Sequence, residues 1–413
     1  MNWPTISIGS VCLPIQQCDP SAAPDASFSY IDISSVDKDQ KAINAVQRIT
    51  GSDAPSRAKK MVKKGDTLVS MVRPNLNAVA LVPKELDGEI ASTGFAVLRP
   101  DPSLVNERYL FYRSRTNDFI SILVSRATGA SYPAVSDGIV RRVDIPLPPP
   151  KEQQRIVDIL DQADSLRKQR AEADKKAEHI LPALFYKMFG DPVTNPRGLR
   201  KVSLGKLIKV KSGEFLPAKN MAAEGQFPVY GGNGINGYHD KYMFDKSKVV
   251  LGRVGVYCGV VHYSKPKAWV TDNALYVSEK IEDLDDRYLV VALQLANLNQ
   301  YAGRAGQPLI SGSRIYPVEI LVPSKSDQLA FAQSAITLLE LDAQRVESDL
   351  KLNQLWDVLM QRAFTGQLTA KWREAHMKEL LVEMEEQARL LNQPIPDTAV
   401  LMANDANIRT EDC

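Results

Sequence analysis

The chain has little of what covalent stapling, metal binding or acid–base chemistry requires: of 413 residues, four are cysteine and four are histidine. Cys12, Cys18, Cys258 and Cys413 are too few and too scattered for a disulfide framework. They also lack the paired CxxC or Cys/His spacing of a zinc site, so reduced thiols in a cytoplasmic protein are the simple reading. His179, His239, His262 and His376 lie far apart, which gives a histidine-based acid–base pair no support. No apolar run approaches the roughly 20 residues that span a bilayer. Met1-Asn2-Trp3-Pro4-Thr5 has no basic start followed by an apolar stretch, so no secretion signal and no membrane partner are expected. Walker A, HExxH and GxSxG patterns are absent, as are a glycine loop for AdoMet and an Asn/Asp-Pro-Pro-aromatic tetrad. Asp285-Asp286 and Glu385-Glu386 read as solvated charge. No catalytic residue, no metal and no cofactor are expected on this chain.

What the chain does have is uneven charge and an internal repeat. The formal net charge of +2 averages about +2 over residues 1–150, +7 over 195–325 and −7 over 326–413. A basic middle can follow a phosphate backbone, which an acidic tail repels. Shifting the sequence by 175 positions places Pro133 on Pro308, Ser136 on Ser311, Ile145 on Ile320, Gln153 on Gln328 and Arg170 on Arg345, and the match runs on to Phe189 on Phe364. A constant offset over that length is a tandem duplication of domains, far longer than a solenoid repeat. Upstream, Gly65–Arg73 resembles Lys246–Val254, and Thr93–Leu98 resembles Thr271–Val277.

Each half ends in a helical segment. From Lys151 to Phe189, Ile156, Ile159, Leu160, Ala163, Leu166, Ala177, Ile180, Leu184 and Met188 draw one stripe at three- and four-residue steps. Pro146–Pro150 precede the helix, Pro182 is expected to kink it and Gly190-Asp191-Pro192 to stop it. The second copy carries its stripe on Leu329, Ala332, Ile336, Leu339, Val346, Leu350, Leu355, Leu359 and Ala363 and stops at Gly366. Two such helices of roughly 50 Å are expected to bury these stripes on each other as an antiparallel pair, with Leu160, Leu166, Leu339 and Leu350 in its core. Residues before each helix are rich in short β-type runs punctuated by Gly, Pro and Asn, and read as mixed α/β. After Trp372 an amphipathic helix is expected through Leu391, and disorder beyond Pro394. Gly232-Asn233-Gly234-Ile235-Asn236-Gly237 fits the dinucleotide GxGxxG pattern, but Tyr238–Tyr242 shows no helix periodicity, so a glycine-rich loop is the better reading.

Three stretches carry a family resemblance. Gly129–Ser136 followed by Ile145–Val157, then Phe227–Tyr238, then Ala363–Thr369 with Trp372-Arg373, resemble, in this order, the specificity subunits of type I restriction–modification systems with two target-recognition domains. The resemblance covers about residues 1–373. The second junction, Ala305–Ser311, departs from it in lacking an equivalent of Tyr132, and Leu321-Val322-Pro323-Ser324 is poorer in proline than the first.

The resemblance implies an α+β fold: two mixed α/β target-recognition domains separated by a long antiparallel two-helix coiled-coil spacer, with a pseudo-two-fold internal repeat. The expected division is a first target-recognition domain over 1–150, a first spacer helix over 151–192, a second domain over 193–323, a second spacer helix over 324–372 and an acidic, partly disordered tail over 373–413. It implies partners: double-stranded DNA, two methyltransferase subunits and two restriction/translocase subunits, with AdoMet, ATP and Mg bound on those subunits. Site-specific deoxyribonuclease and adenine-N6 methyltransferase activities would belong to that complex. Two unlike readers would recognise the halves of a bipartite site, with helix length setting the gap. Arg and Lys suit guanine edges, Asn and Gln suit adenine. The candidates are therefore Arg57, Lys59, Lys60, Arg73 and Arg126 in the first reader, and Lys219, Asn220, Asn233, Arg253 and Arg304 in the second. Tyr132 reads as packing between domain and helix, and Gly232, Gly234 and Gly237 as turn formers. The rivals are a stand-alone tandem DNA-binding or scaffold protein and an enzyme with an unrecognised site.

Overall fold

The computed structural model describes residues 3–303 and 307–393. The chain divides into two compact units: one holds residues up to Arg167 together with those from Lys351 onward, the other Lys168–Leu350. Each long helix therefore begins in one unit and ends in the other.

In the first unit, one four-stranded sheet runs in the order Cys12–Leu13, Phe95–Pro100, Thr67–Ser70, Val79–Leu81. A second runs Gln47–Thr50, Ser27–Ile31, Ile90–Ser92, Ala58–Met61, with Ile90–Ser92 parallel to Ser27–Ile31. The second unit has a four-stranded sheet in the order Ile208–Ser212, Ala274–Lys280, Val249–Gly252, Val261–Tyr263. Beside it lies a three-stranded sheet in which Phe227–Gly231 pairs antiparallel with Gly234–His239 and parallel with Trp269–Val270. In both units a short two-stranded ribbon joins the entry strand to the strand before the long helix, with Ile6 opposite Ile145 and Val202 opposite Ile320. The fold is thus α+β and duplicated, as the repeat predicts. The GxGxxG stretch lies in the tight hairpin Phe227–His239, where Gly234 takes φ 92° and a Cβ would stand 3.3 Å from the His262 ring. A strand, Gly234–His239, stands where the dinucleotide pattern calls for a helix.

The first long helix spans Pro150–Ala177 and resumes as Ile180–Phe189; the second spans Lys325–Phe364 without interruption. Pro150 opens the first helix, where its missing N–H is not needed. The interruption at Glu178–His179 precedes Pro182 by four residues, because the proline ring clashes with the carbonyl of the residue four back. His179 stands exposed at this break.

A shared hydrogen-bond scheme ties each helix start to its unit. In the first unit Gln153 accepts from the Asn106 amide (2.7 Å) and donates to the Leu104 and Pro148 carbonyls (2.9 and 2.8 Å), while the Tyr109 hydroxyl donates to Pro146 O (2.9 Å). In the second, Gln328 accepts from the Asp285 amide (3.0 Å) and donates to Pro323 O (3.0 Å), and Tyr288 donates to Leu321 O (2.7 Å). Asn106 and Asp285 also cap the next helix, each accepting from the two backbone amides that follow its neighbour. These bonds satisfy buried backbone groups that no sheet or helix would otherwise pair.

The helices run antiparallel within each unit. Arg167 donates to Asn353 Oδ1 (3.0 Å) in the first, while Phe364, further along, packs on Tyr109 at 5.3 Å. In the second, Arg345 meets Asp174 (2.8 Å) and Phe331 meets Phe185 (5.7 Å). The expected core of this pair needs correction. Leu160 is fully buried, but Leu166 is 65%, Leu339 37% and Leu350 62% exposed. Burial on the second helix falls instead on Phe331, Ala332 and Ala335 in one unit and Trp356, Met360 and Ala363 in the other. The apolar stripe is real, but much of it faces outward.

After Gly366 the chain forms Ala370–Ala375 and Met377–Leu390, close to the expected amphipathic helix. Leu380, Met384, Gln387 and Ala388 are buried in the first unit, so this part of the acidic segment is packed structure rather than a free tail. The stretch from Pro394 on lies outside the described residues. Among the described residues, no helix is long and apolar enough to cross a membrane.

Candidate nucleic-acid interface

Each unit displays one irregular tip built by the same backbone bonds. In the first unit the chain leaves strand Thr67–Ser70 and is latched to the junction loop: Val135 N donates to Met71 O (2.9 Å) and Arg73 N to Pro133 O (2.7 Å). The loop closes on itself through Thr128 N to Ala134 O and the reverse, at 3.0 and 2.9 Å. In the second unit Ile310 N donates to Arg253 O (2.9 Å), Gly255 N to Pro308 O (3.0 Å) and Gly303 N to Leu309 O (3.0 Å). The junction loops correspond at the sequence offset. The strand pairing, however, moves by one residue: Met71 matches Arg253 and Arg73 matches Gly255, not Val254. A gap-free comparison could not see this, because only the ladder bonds fix which residue faces the latch.

The candidate side chains do not gather in one place. Arg73 is exposed on this tip at φ 50°, with its guanidinium carbon 4.4 Å from the centre of the Tyr132 ring. Tyr132 is itself 67% exposed, so the expectation that it packs between domain and helix is overturned. The loop turns at Gly129, at φ 101°, and residues 128–132 are exposed. Arg253 sits at the matching latch but turns inward, donating to Ser212 Oγ (3.0 Å) and Asp272 O (3.2 Å). The remaining members lie elsewhere. Arg57 and Lys59 flank the entry to strand Ala58–Met61, Arg57 exposed and Lys59 paired with Asp19 at 3.4 Å. Arg126 is exposed at the end of helix Asn117–Ser125. Lys219 and Asn220 are exposed on the turn Ala218–Asn220, and Asn233 on the hairpin tip.

Lys60 is a correction. It is buried, donating to Phe95 O (2.6 Å) and pairing with Asp137 (3.2 Å), so its ammonium is committed to holding the sheet to helix Asp137–Arg141. Lys59 and Lys60 are neighbours on that strand and point to opposite faces, and sequence alone does not say which face is inward. Arg304 lies outside the described residues.

Sequence reading missed the residues that brace or fill the place beside each latch. Lys41 donates to Asn77 O, and Asn77 Nδ2 donates to Arg115 O (2.9 Å), bracing the turn Pro74–Leu76 that follows Arg73. Burial, reinforced by the nearby Arg115 charge, holds the Lys41 ammonium down to about 8. In the second unit the same place carries Gly255, Val256 and Tyr257, and the latter two are exposed. The only advance signal was the left-handed backbone that Asn77 and Gly255 favour.

A duplicated α/β unit, each with one latched and exposed tip and joined by long helices, defines a tandem recognition protein. Residues 3–176 and 196–343 match the family described as the type I restriction modification DNA specificity domain, and the chain belongs to that family. It is 31% identical over 139 residues to the type I restriction enzyme EcoprrI specificity subunit of Escherichia coli, and 30% identical over 142 residues to the HindI specificity subunit of Haemophilus influenzae. These matches cover 33% and 34% of the chain, and 34% and 31% of the respective relatives, about a third of each. A solved structure concerned with complex assembly and conformational transition of the type I R-M system holds a chain 26% identical, at TM-score 0.59, over 89% of this chain and 98% of that one. The S subunit of a type I system from M. genitalium, 16% identical, shares the fold at TM-score 0.58 over 88% and 96% of the two chains.

Proposed function

We propose that this chain is the DNA-reading subunit of a type I restriction–modification complex, each unit reading one half of a bipartite, asymmetric site. The observation that carries the reading is the duplicated tip: one backbone scaffold, latched the same way twice, presents unlike side chains. Unlike readers on matching scaffolds suit a site with two unlike halves. The long helices set the gap and dock two methyltransferase subunits. Leu166 and Leu355 are exposed on them in the first unit, and Leu341, Val346 and Leu350 in the second, apolar side chains that a lone soluble protein would not gain from displaying. The complex also takes two restriction/translocase subunits, and AdoMet, ATP and Mg bind on these partners; this chain reads and scaffolds without reacting.

Co-expression with the methyltransferase subunit, followed by mapping of N6-methyladenine across a host genome, tests this. A split motif methylated only when the chain is present is the expected result. A stable complex without sequence-specific methylation would remove the DNA-reading role, and no complex at all would favour the stand-alone tandem DNA-binding or scaffold protein.

A further inference from the structure

Resting on that DNA-reading proposal and deepening it, we infer that Arg73, held over the ring of Tyr132, specifies a guanine in the half-site read by the first unit. Four observations converge on this pair. The arginine backbone is left-handed, at φ 50°, a conformation that side-chain-bearing residues avoid. The matching position in the second unit is Gly255, at φ 75°, so the scaffold accepts glycine and the arginine is present for its side chain. Among the described residues its guanidinium has no carboxylate or other hydrogen-bond acceptor, only the face of an exposed tyrosine at 4.4 Å. Finally, both ends of the pair are fixed by backbone: Arg73 N donates to Pro133 O (2.7 Å), beside Tyr132, and Leu76 N donates to Arg73 O (2.9 Å).

A guanidinium already held over a ring face loses less freedom on binding than a free one. Its parallel N–H donors then match the O6 and N7 acceptors of guanine in the major groove. A phosphate can take the same fork but carries no base identity, so preference at a single base separates the two contacts. Tyr132 is a positioning residue: it orients the fork and makes no base contact of its own.

The full chain with its methyltransferase partner provides the test, the methylated motif being read base by base. Arg73→Gly keeps the left-handed backbone and removes the fork, and Arg73→Lys keeps the charge without the fork. Both are expected to lose about tenfold or more of the preference for guanine at one position of one half-site, with the other half-site unchanged. Tyr132→Ala weakens the same preference and Tyr132→Phe preserves it. An unchanged motif in Arg73→Gly overturns the inference, as does a uniform loss over all sites that Arg73→Lys restores, the signature of a phosphate contact. If the unaltered chain directs no sequence-specific methylation, the DNA-reading proposal fails first and takes this inference with it.

Discussion

The two units solve one joint with opposite chemistry. Where the second long helix starts, Phe331 sits in an aromatic cluster with Phe185, Phe189 and Tyr288, at ring separations of 5.7, 5.5 and 6.0 Å. Where the first starts, the corresponding Ile156 has Met360, Phe364 and Tyr109 at the equivalent places, and the packing is reinforced by charge. Glu152 is fully buried and accepts from Arg373 Nε (2.7 Å), Thr369 Oγ1 (2.6 Å) and Trp3 Nε1 (2.9 Å). Further along, Arg115 pairs with the buried Asp164 at 3.1 Å, and Arg108 and Tyr112 both donate to Asp161. The counterparts of Glu152, Asp161 and Asp164 are Asp327, Ile336 and Leu339. What the two joints share is the glutamine clamp, the tyrosine hydroxyl on the last strand and the cap at Asn106 or Asp285. Divergence has replaced the filling and kept the bonds that satisfy backbone groups, in keeping with the tolerance of cores to repacking and their intolerance of unpaired polar groups.

The largest expected effect breaks the aromatic joint. Phe331→Ala removes a fully buried ring on which three others lean and should cost about 3–5 kcal/mol, read as a fall in the denaturant midpoint of the second unit. The charged joint comes next. Glu152→Ala leaves Arg373 buried without its carboxylate and should cost about 3 kcal/mol. Three of the four tryptophans, Trp3, Trp356 and Trp372, belong to the first unit, so tryptophan fluorescence should report this loss far more strongly than that of Phe331→Ala. The matching change in the second unit, Asp327→Asn, touches an exposed cap on Ser324 and should cost under about 1 kcal/mol. Equal losses for Glu152→Ala and Asp327→Asn would dissolve the contrast between the joints.

How much of this was legible in the sequence depends on what each signal measures. The constant offset found the duplication and the Gln153/Gln328 pair, because bonds that satisfy the backbone constrain residue identity at fixed spacing. Periodicity found both long helices, and Pro182 signalled the interruption, though not its location four residues upstream. Periodicity could not say what covers the stripe: Leu166, Leu339 and Leu350 obey the same spacing as Leu160, yet of the four only Leu160 is fully buried. Tyr132 and Lys60 failed in opposite directions for one reason. Residue type alone places an aromatic inward and a lysine outward, whereas Tyr132 lies on an exposed loop latched by its backbone and Lys60 is drawn in by a carbonyl and a carboxylate. The role of residues 370–393 in closing the first unit was invisible because acidic composition hides the few buried positions, Leu380 and Met384 among them.

The smallest expected effect probes the contact between the two long helices within the second unit. Asp174 accepts from Arg345 Nε (2.8 Å) and from Arg170 Nε (3.0 Å), whereas a bond between the two helices in the first unit, Arg167 to Asn353, ends on an amide that does not titrate. Partial burial acts to raise the Asp174 carboxyl, but the two arginine hydrogen bonds and charges outweigh it and hold the group below the ordinary aspartate range. A carboxyl depressed in the folded state stabilises at every pH above its unfolded value and loses that contribution as pH falls through the folded one. The second unit should therefore lose stability below about pH 4 through this contact, and Asp174→Asn should flatten that acid limb. At neutral pH the same variant should cost no more than about 1 kcal/mol, and less in high salt, because the pair is open to solvent. Denaturant midpoints collected from pH 3 to 7 decide it. An acid limb that survives Asp174→Asn unchanged assigns the titration to other carboxylates and leaves the two helix contacts alike in their response to pH.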